Sequence, residues 1–320
     1  MNVSMFHDPP LFAFDGRDWP HREASRLVEH DGFTWHLQSL GEGPSVVLLH
    51  GTGASTHSWR DVAPALVAHG LRVVMVDLPG HAFTRAPVDF VPTLPAIAAA
   101  LGRVFTREAV RPAVLVGHSA GAAIGAQMVL GGHVTPNHLV AVNGAFYPLA
   151  GLAGRVMSPI ARAVAGSPLG PQLMAWRARS PGFVDEVVRS TGTALDAHGL
   201  ELYARLARRP GHVAGVLAML AVWRLESLAA DLPRLTRPVT LVVAEGDRAV
   251  PPAHARRARA ALPCSTIVSW PGLGHLAHEE DPKRLADLVA RLAHAGVDPT
   301  PPAVPYIHRQ EIPWSPAPSS

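Results

Sequence analysis

The chain has 320 residues, of which 48% are hydrophobic, 17% charged and 6% aromatic, a composition that excludes disordered polymers and long coiled coils. Its length fits one large α/β domain or two smaller ones. Basic residues outnumber acids by 28 to 25, a net +3, yet Lys283 is the only lysine; so diffuse an Arg-rich, Ala-rich, Pro-rich bias gives no reason to expect a nucleic-acid partner.

Met1–Pro10 lacks both a basic n-region and an apolar h-region, and Cys264, the single cysteine, permits no internal disulfide. A cytoplasmic location is expected. The longest apolar run, Val213–Trp223, falls short of the about 20 residues a membrane-spanning helix needs, so no transmembrane segment is expected. Peripheral contact with a membrane stays open.

Residues 1–30 read as an irregular N-terminal segment. Phe33–Leu40 then reads as a strand closed by the turn Gly41-Glu42-Gly43-Pro44. Short apolar runs follow at Val46–Leu49, Val73–Val76, Ala113–Val116, Leu139–Val142, Val239–Val243 and Thr266–Val268, alternating with helical segments such as Ser58–His69, Leu94–Phe105 and Ala120–Leu130. Continuous rather than alternating hydrophobicity marks strands buried on both faces, and helical crossovers between them imply a mostly parallel, doubly wound α/β sheet. Residues 31–145 and 236–296 form this expected core. From 146 to 235 no strand pattern appears, and helical segments are separated by Pro159, Pro168, Pro171, Pro181, Pro210 and Gly211; a helical lid is expected. Residues 297–320 carry seven prolines and read as an extended or disordered tail.

The strand Ala113–Val116 runs into Gly117-His118-Ser119-Ala120-Gly121 before a helix, the strand–turn–helix context of a G-x-S-x-G nucleophile elbow. Upstream, His50-Gly51-Thr52-Gly53 follows a strand where a second oxyanion donor is needed, so the backbone N–H groups of Thr52 and Ala120 are the candidate oxyanion hole. Asp247, in the loop after Val239–Val243, is the candidate acid. His275, in the glycine-bounded loop Pro271-Gly272-Leu273-Gly274-His275, is the candidate base. A serine hydroxyl is a poor nucleophile at neutral pH, so the imidazole must take its proton and the carboxylate must hold the imidazole in one tautomer. Asn143 stands at a strand end where some hydrolases carry an alternative acid, which favours Asp247.

Other chemistry fits less well. His275 and His278 lie i, i+3, but H-E-x-x-H and any cysteine cluster are missing, so no metal site is expected and His278 is assigned to supporting the loop or capping the next helix. Gly51-Thr52-Gly53-Ala54-Ser55-Thr56 starts like a dinucleotide loop but has Thr56 in place of the third glycine. A Walker loop needs a lysine where none is available. No cofactor is expected.

Several stretches resemble the α/β-hydrolase superfamily and, more narrowly, the magnesium-chelatase accessory proteins of bacteriochlorophyll biosynthesis. They are Trp19-Pro20-His21-Arg22, Trp35-His36-Leu37-Gln38, His50 through Arg60, Gly117 through Ala123, Leu202 through Arg208, Pro210 through Val213, Glu245 through Pro251 and Gly272 through Glu280, and the resemblance covers about residues 17 to 290. Ala82 departs from it, where such proteins usually have glycine. The resemblance implies an α/β-hydrolase fold with a lid and a role at or near Mg²⁺ insertion into protoporphyrin IX. A tetrapyrrole and the chelatase subunits are the partners it implies. His118, Trp59, Arg205 and Arg208 are candidate substrate-binding residues. The alternatives are a non-catalytic porphyrin- or chelatase-binding accessory and a general carboxylesterase with no pigment role. Finally, ten arginines against six acids between Tyr147 and Arg234 place a net +4 in the lid, leaving −1 elsewhere; Arg205, Arg208 and Arg209 are expected to face an anionic amphiphile or membrane surface.

Overall fold

In the computed structural model, residues 8–148, 167 and 169–295 are described. The strands are β1 Ser25–His30, β2 Phe33–Leu40, β3 Ser45–Leu49, β4 Arg72–Val76, β5 Val114–His118, β6 His138–Val142, β7 Val239–Ala244 and β8 Ser265–Trp270. The helices are α1 Phe12–Asp15, α2 Val62–Ala68, α3 Leu94–Arg107, α4 Ala120–Leu130, α5 Gly170–Arg177, α6 Phe183–Ser190, α7 Ala197–Ala207, α8 Pro210–Val222, α9 Glu226–Asp231, α10 Pro252–Ala261, α11 Ala277–Glu280 and α12 Pro282–Ala295.

The strands form one eight-stranded sheet in the order β1-β2-β4-β3-β5-β6-β7-β8. β1, β2 and β4 pair antiparallel, and every pair from β4 through β3 to β8 is parallel. The valine-rich runs are central because both of their faces are covered. Val46, Leu48, Val114, Val116, Val140 and Val142 pack toward α2 and α12, whereas Val47, Leu49, Leu115, Leu139 and Ala141 pack toward α3 and α4. The period of two thus sorts a continuous apolar run into two cores. The chain winds outward from β3 in one direction to β4 and then returns to the other side at β5. Such a reversal opens a crevice at the carboxyl ends of the two strands, where open α/β sheets bind ligands.

Residues 1–30 are not irregular throughout. Among those described, Phe12–Asp15 is a helical turn and Ser25–His30 is an edge strand, paired with β2 from Ser25 opposite Gln38 to His30 opposite Phe33. Asp31 (φ 51°) and Gly32 (φ 76°) make the two-residue turn, both left-handed as a tight hairpin requires. The expected helix Ser58–His69 is split into a 3₁₀ turn over Thr56–Trp59 and the α-helix α2, which begins only at Val62. Between β6 and β7 the described residues contain five helices and no strand. Residues 149–166, 168 and the Pro-rich tail lie outside the described residues.

A buried carboxylate joins the antiparallel edge to the central loops. Asp77, after β4, pairs with His36 of β2 (Oδ2 to Nδ1, 2.7 Å) and accepts from the N–H groups of Thr56 (2.8 Å) and Phe83 (3.2 Å). His36 continues through Nε2 to the Ser25 hydroxyl at 3.0 Å, on which the Gln38 amide also donates. Burial alone would raise the Asp77 pKa. The adjoining His36 and these hydrogen bonds more than reverse that effect and hold it at about 2. This carboxylate therefore stabilises the fold fully above its ordinary 3.8 and loses that contribution as pH falls through about 2. Asp77→Asn weakens hydrogen bonds made to a buried carboxylate and is expected to cost about 1.5–3 kcal/mol at neutral pH, measured by urea unfolding; a loss below about 0.5 kcal/mol would contradict this role.

Candidate active site

Four loops at the carboxyl edge converge. β5 delivers Ser119, the residue before α4, with φ 51° and ψ −114°. A non-glycine residue in that conformation is strained and persists only where its surroundings over-determine it. Here they do. A Cβ on Gly117 would lie 2.4 Å from the Ala122 nitrogen, and one on Gly121 would lie 2.2 Å from the Leu49 carbonyl oxygen. Only hydrogen at those two positions lets the turn close on itself and lets α4 press against the end of β3. The Ser119 N–H is meanwhile spent on the Val142 carbonyl (2.9 Å).

The loop after β7 carries Asp247. Its Oδ1 accepts from the N–H groups of Ala249 and Val250, each at 2.8 Å, and its Oδ2 meets His275 Nδ1 at 2.8 Å. Both side chains are buried. With Nδ1–H donating to the carboxylate, Nε2 is left as the free basic nitrogen of His275. Ser119, His275, Thr52 and His118 all line one cavity of about 240 Å³. Among the described residues the N–H groups of Thr52 and Ala120 have no hydrogen-bond partner, and that of Ala120 opens α4, where the helix dipole favours negative charge.

Asn143, at φ 48° just past β6, is a clamp on the histidine loop. Its Oδ1 accepts from Ala244 N–H (2.9 Å), and its Nδ2 donates to the carbonyls of Gly274 (3.1 Å) and His275 (2.9 Å). His118 donates through Nε2 to the same His275 carbonyl at 2.9 Å. Its ring lies between those of His275 and His278, with centroids 4.7 and 4.4 Å away, and His278 in turn lies 4.4 Å from the ring of Trp59. Burial, then neighbouring histidine charge, drives the pKa values of His118 and His278 well below the ordinary 6.5, so both rings are neutral.

The structure places other candidates elsewhere. Trp59 is fully buried in the core between α2 and α12 and does not reach the cavity. Arg205 is held by both carboxylate oxygens of Asp18 (2.6 and 3.0 Å) and by the Asp15 carbonyl, and Arg208 by Glu201 (3.3 Å). Neither arginine lines the cavity. Arg209 pairs with Asp8 and Asp15. The basic excess of the insertion is thus locally offset by acids that residues 8–18 bring to it. His278 neither caps a helix nor makes a hydrogen bond; it supports the site as a packed ring. Ala82, at φ 41°, does occupy the left-handed region that favours glycine, and its N–H donates to His212 Nδ1 (3.0 Å).

Reading the chain alone misses Glu279, four residues after His275. Its buried carboxylate accepts from Tyr203 Oη at 2.6 Å on Oε1 and from Arg60 on Oε2, while Tyr203 itself lines the cavity. Next to it, Glu280 accepts from Gly274 N–H (2.7 Å) and Ala194 N–H (3.3 Å), and Thr193 Oγ1 accepts from Leu276 N–H (2.9 Å). The histidine loop is therefore stitched to the insertion.

With this geometry the chain can be compared with known proteins. A model of the alpha/beta hydrolase family matches residues 46–288. The chain belongs to that family. It is 37% identical over 264 residues to the magnesium-chelatase 30 kDa subunit of Rhodobacter capsulatus, covering 82% of this chain and 92% of that one. An uncharacterised protein of Mycobacterium tuberculosis is 27% identical over 289 residues, covering 85% and 80% of the two chains. Among solved structures, an esterase of Exiguobacterium antarcticum superposes with a TM-score of 0.69 at 16% identity, over 84% of this chain and 98% of that one. The epoxide hydrolase CorEH gives 0.71 at 18%, over 86% and 99%. At such identity these structures share the fold.

Burial outweighs the attraction of Arg60 and the hydrogen bond of Tyr203 at Glu279 and lifts its pKa to about 7. The folded chain thus binds a proton there that the unfolded chain, titrating near the ordinary 4.5, releases earlier. Stability is expected to fall as pH rises between those two values. Glu279→Gln is expected to flatten that stretch of a melting-temperature profile; an unchanged slope would show that Glu279 is not the titrating group.

Proposed function

We propose that the protein is a serine hydrolase that cleaves an ester or related acyl bond through Ser119, His275 and Asp247. The observation that carries this reading is the His275–Asp247 hydrogen bond of 2.8 Å beside a serine held in the strained conformation of an elbow. The imidazole, fixed in one tautomer, takes the Ser119 proton as Oγ attacks the carbonyl carbon. Negative charge develops on the carbonyl oxygen, and the N–H groups of Thr52 and Ala120 stabilise it; losing such a donor costs about 10²–10³ in turnover. His275 then protonates the departing alcohol. Water, deprotonated by the same imidazole, attacks the acyl-serine, releasing the carboxylic acid and restoring the hydroxyl. Asn143 and His118 hold the loop that carries the base.

The physiological role we propose lies in bacteriochlorophyll synthesis, at or near Mg²⁺ insertion into protoporphyrin IX, with a tetrapyrrole ester as substrate and magnesium-chelatase subunits as partners. A cytoplasmic site of action belongs to the same proposal. It is supported by the similarity to the magnesium-chelatase 30 kDa subunit, which extends over most of both chains.

Ser119→Ala is expected to lower hydrolysis of 4-nitrophenyl acetate by about 10⁴-fold or more and to leave the melting temperature near that of the wild type. In a pigment-producing host, loss of bacteriochlorophyll with Ser119→Ala, matching full deletion, supports the role. Normal pigment from that variant, against loss on deletion, would instead favour a binding accessory.

A further inference from the structure

Among the described residues, the cavity above Ser119 is walled mainly by apolar groups. Phe183, Val184, Val187 and Val188 come from α6, Leu276 from the histidine loop and Tyr203 from α7. Among the described residues that line it, none is a lysine, arginine, aspartate or glutamate. The Thr191 hydroxyl on its wall is already spent on the Val188 carbonyl at 2.6 Å. The remaining polar groups cluster at the serine end. A carboxylate pushed deeper would lose its water without gaining a partner, which disfavours it. At about 240 Å³ the space is also smaller than the roughly 300–1,000 Å³ of cavities that enclose drug-sized ligands, so a macrocycle does not fit inside.

Tyr203 is an unusually constrained part of that wall. Its hydroxyl donates to Glu279, whose other oxygen is held by the buried Arg60 guanidinium. Its ring meets the His57 ring edge-on, with centroids 4.5 Å apart and planes at 79°. Asp196, which caps α7 by accepting from Gly199 N–H (2.7 Å), lies 3.9 Å from the same Arg60. Swinging Tyr203 aside would leave a buried carboxyl group short of a hydrogen-bond partner, which is costly. With its hydroxyl engaged by Glu279, Tyr203 has no free donor to offer a ligand in the cavity.

We infer that the site admits only a short, uncharged arm of its ester, any larger body of the substrate staying outside, and that Tyr203, held by Glu279 and Arg60, sets the length of that arm. Tyr203 is thus a specificity-determining residue, and Glu279 and Arg60 are positioning residues. This rests on the serine-hydrolase reading.

The full chain is treated with O-ethyl alkylfluorophosphonates bearing methyl to octyl chains, and with an ω-carboxyalkyl member of the series. Ser119 Oγ bonds to phosphorus, fluoride leaves, and His275 takes the proton; the rate of adduct formation is read by intact-protein mass. The expected result is rapid labelling by the ethyl reagent, at least about tenfold slower labelling by octyl, and a similar penalty for the carboxylate against an alkyl chain of equal length. Tyr203→Ala is expected to raise the octyl-to-ethyl rate ratio at least about tenfold. Ala207→Leu, at another wall position, is expected to lower it, which keeps the test decisive if Tyr203→Ala does not fold. Glu279→Gln, leaving Tyr203 less firmly held, is expected to raise the ratio by a smaller factor. Equal rates for ethyl and octyl in the wild type, or a ratio unmoved by these wall variants, would overturn the inference while leaving the hydrolase intact. A Ser119 that even the methyl reagent fails to label would overturn the hydrolase reading, and this inference with it.

Discussion

Ser119 is held where a non-glycine backbone resists going, and much of the molecule serves to keep it there. The constraint is steric before it is chemical. The Leu49 carbonyl and the α4 backbone approach so closely at Gly121 that no side chain fits between them, and Gly117 is closed off in the same way. Strand β3, the loop that carries Thr52, and the start of α4 are consequently locked in one relation. The two cores on either face of the sheet make that relation costly to relax, because closely packed interiors transmit strain rather than absorb it. A strained turn in a loosely packed protein would unwind; here relief would mean separating β3 from α4.

Histidine shows how far composition can mislead. The chain has 18 histidines, a number that invites a search for metal, yet no group among the described residues is arranged to hold one. His50 bridges the Gly51 carbonyl and the Leu78 N–H, His212 bridges the Gly53 carbonyl and the Ala82 N–H, and His118 and His278 serve as neutral rings packed at a tilt behind the base. Burial lowers the pKa of each of these four. A neutral imidazole can both donate and accept, which suits loops whose backbone groups would otherwise be buried without partners.

Legibility in the sequence followed the range of the interactions. The central strands, the elbow and the loops carrying Asp247 and His275 are local patterns, readable as apolar runs ended by glycine or a polar residue. The β1–β2 hairpin was equally local, signalled by Asp31-Gly32, and was missed because β1, with its half-exposed pattern, shows no apolar run. Trp59 stood in a distinctive motif, but burial against His278 of α11 is invisible until segments far apart in sequence come together. The same holds for the arginines of the insertion: Arg205 and Asp18 are 187 residues apart, and Tyr203 and Glu279 are 76 apart. A charge tally sees cations in one segment and acids in another, whereas folding makes them pairs.

Those pairs also bear on how the insertion can move. Arg205 and Arg209 fasten α7 and the start of α8 to Asp8, Asp15 and Asp18, while Trp19 packs beside Leu202 and Leu206 and donates to Thr56 at 3.2 Å. Residues 8–19 therefore act as a tether on α7 and the start of α8. The insertion is sewn to the histidine loop as well, through Thr193, Ala194 and Tyr203. Because Tyr203 and Ala207 of the tethered α7 also wall the cavity, loss of the tether would be felt at that wall rather than at the chemistry.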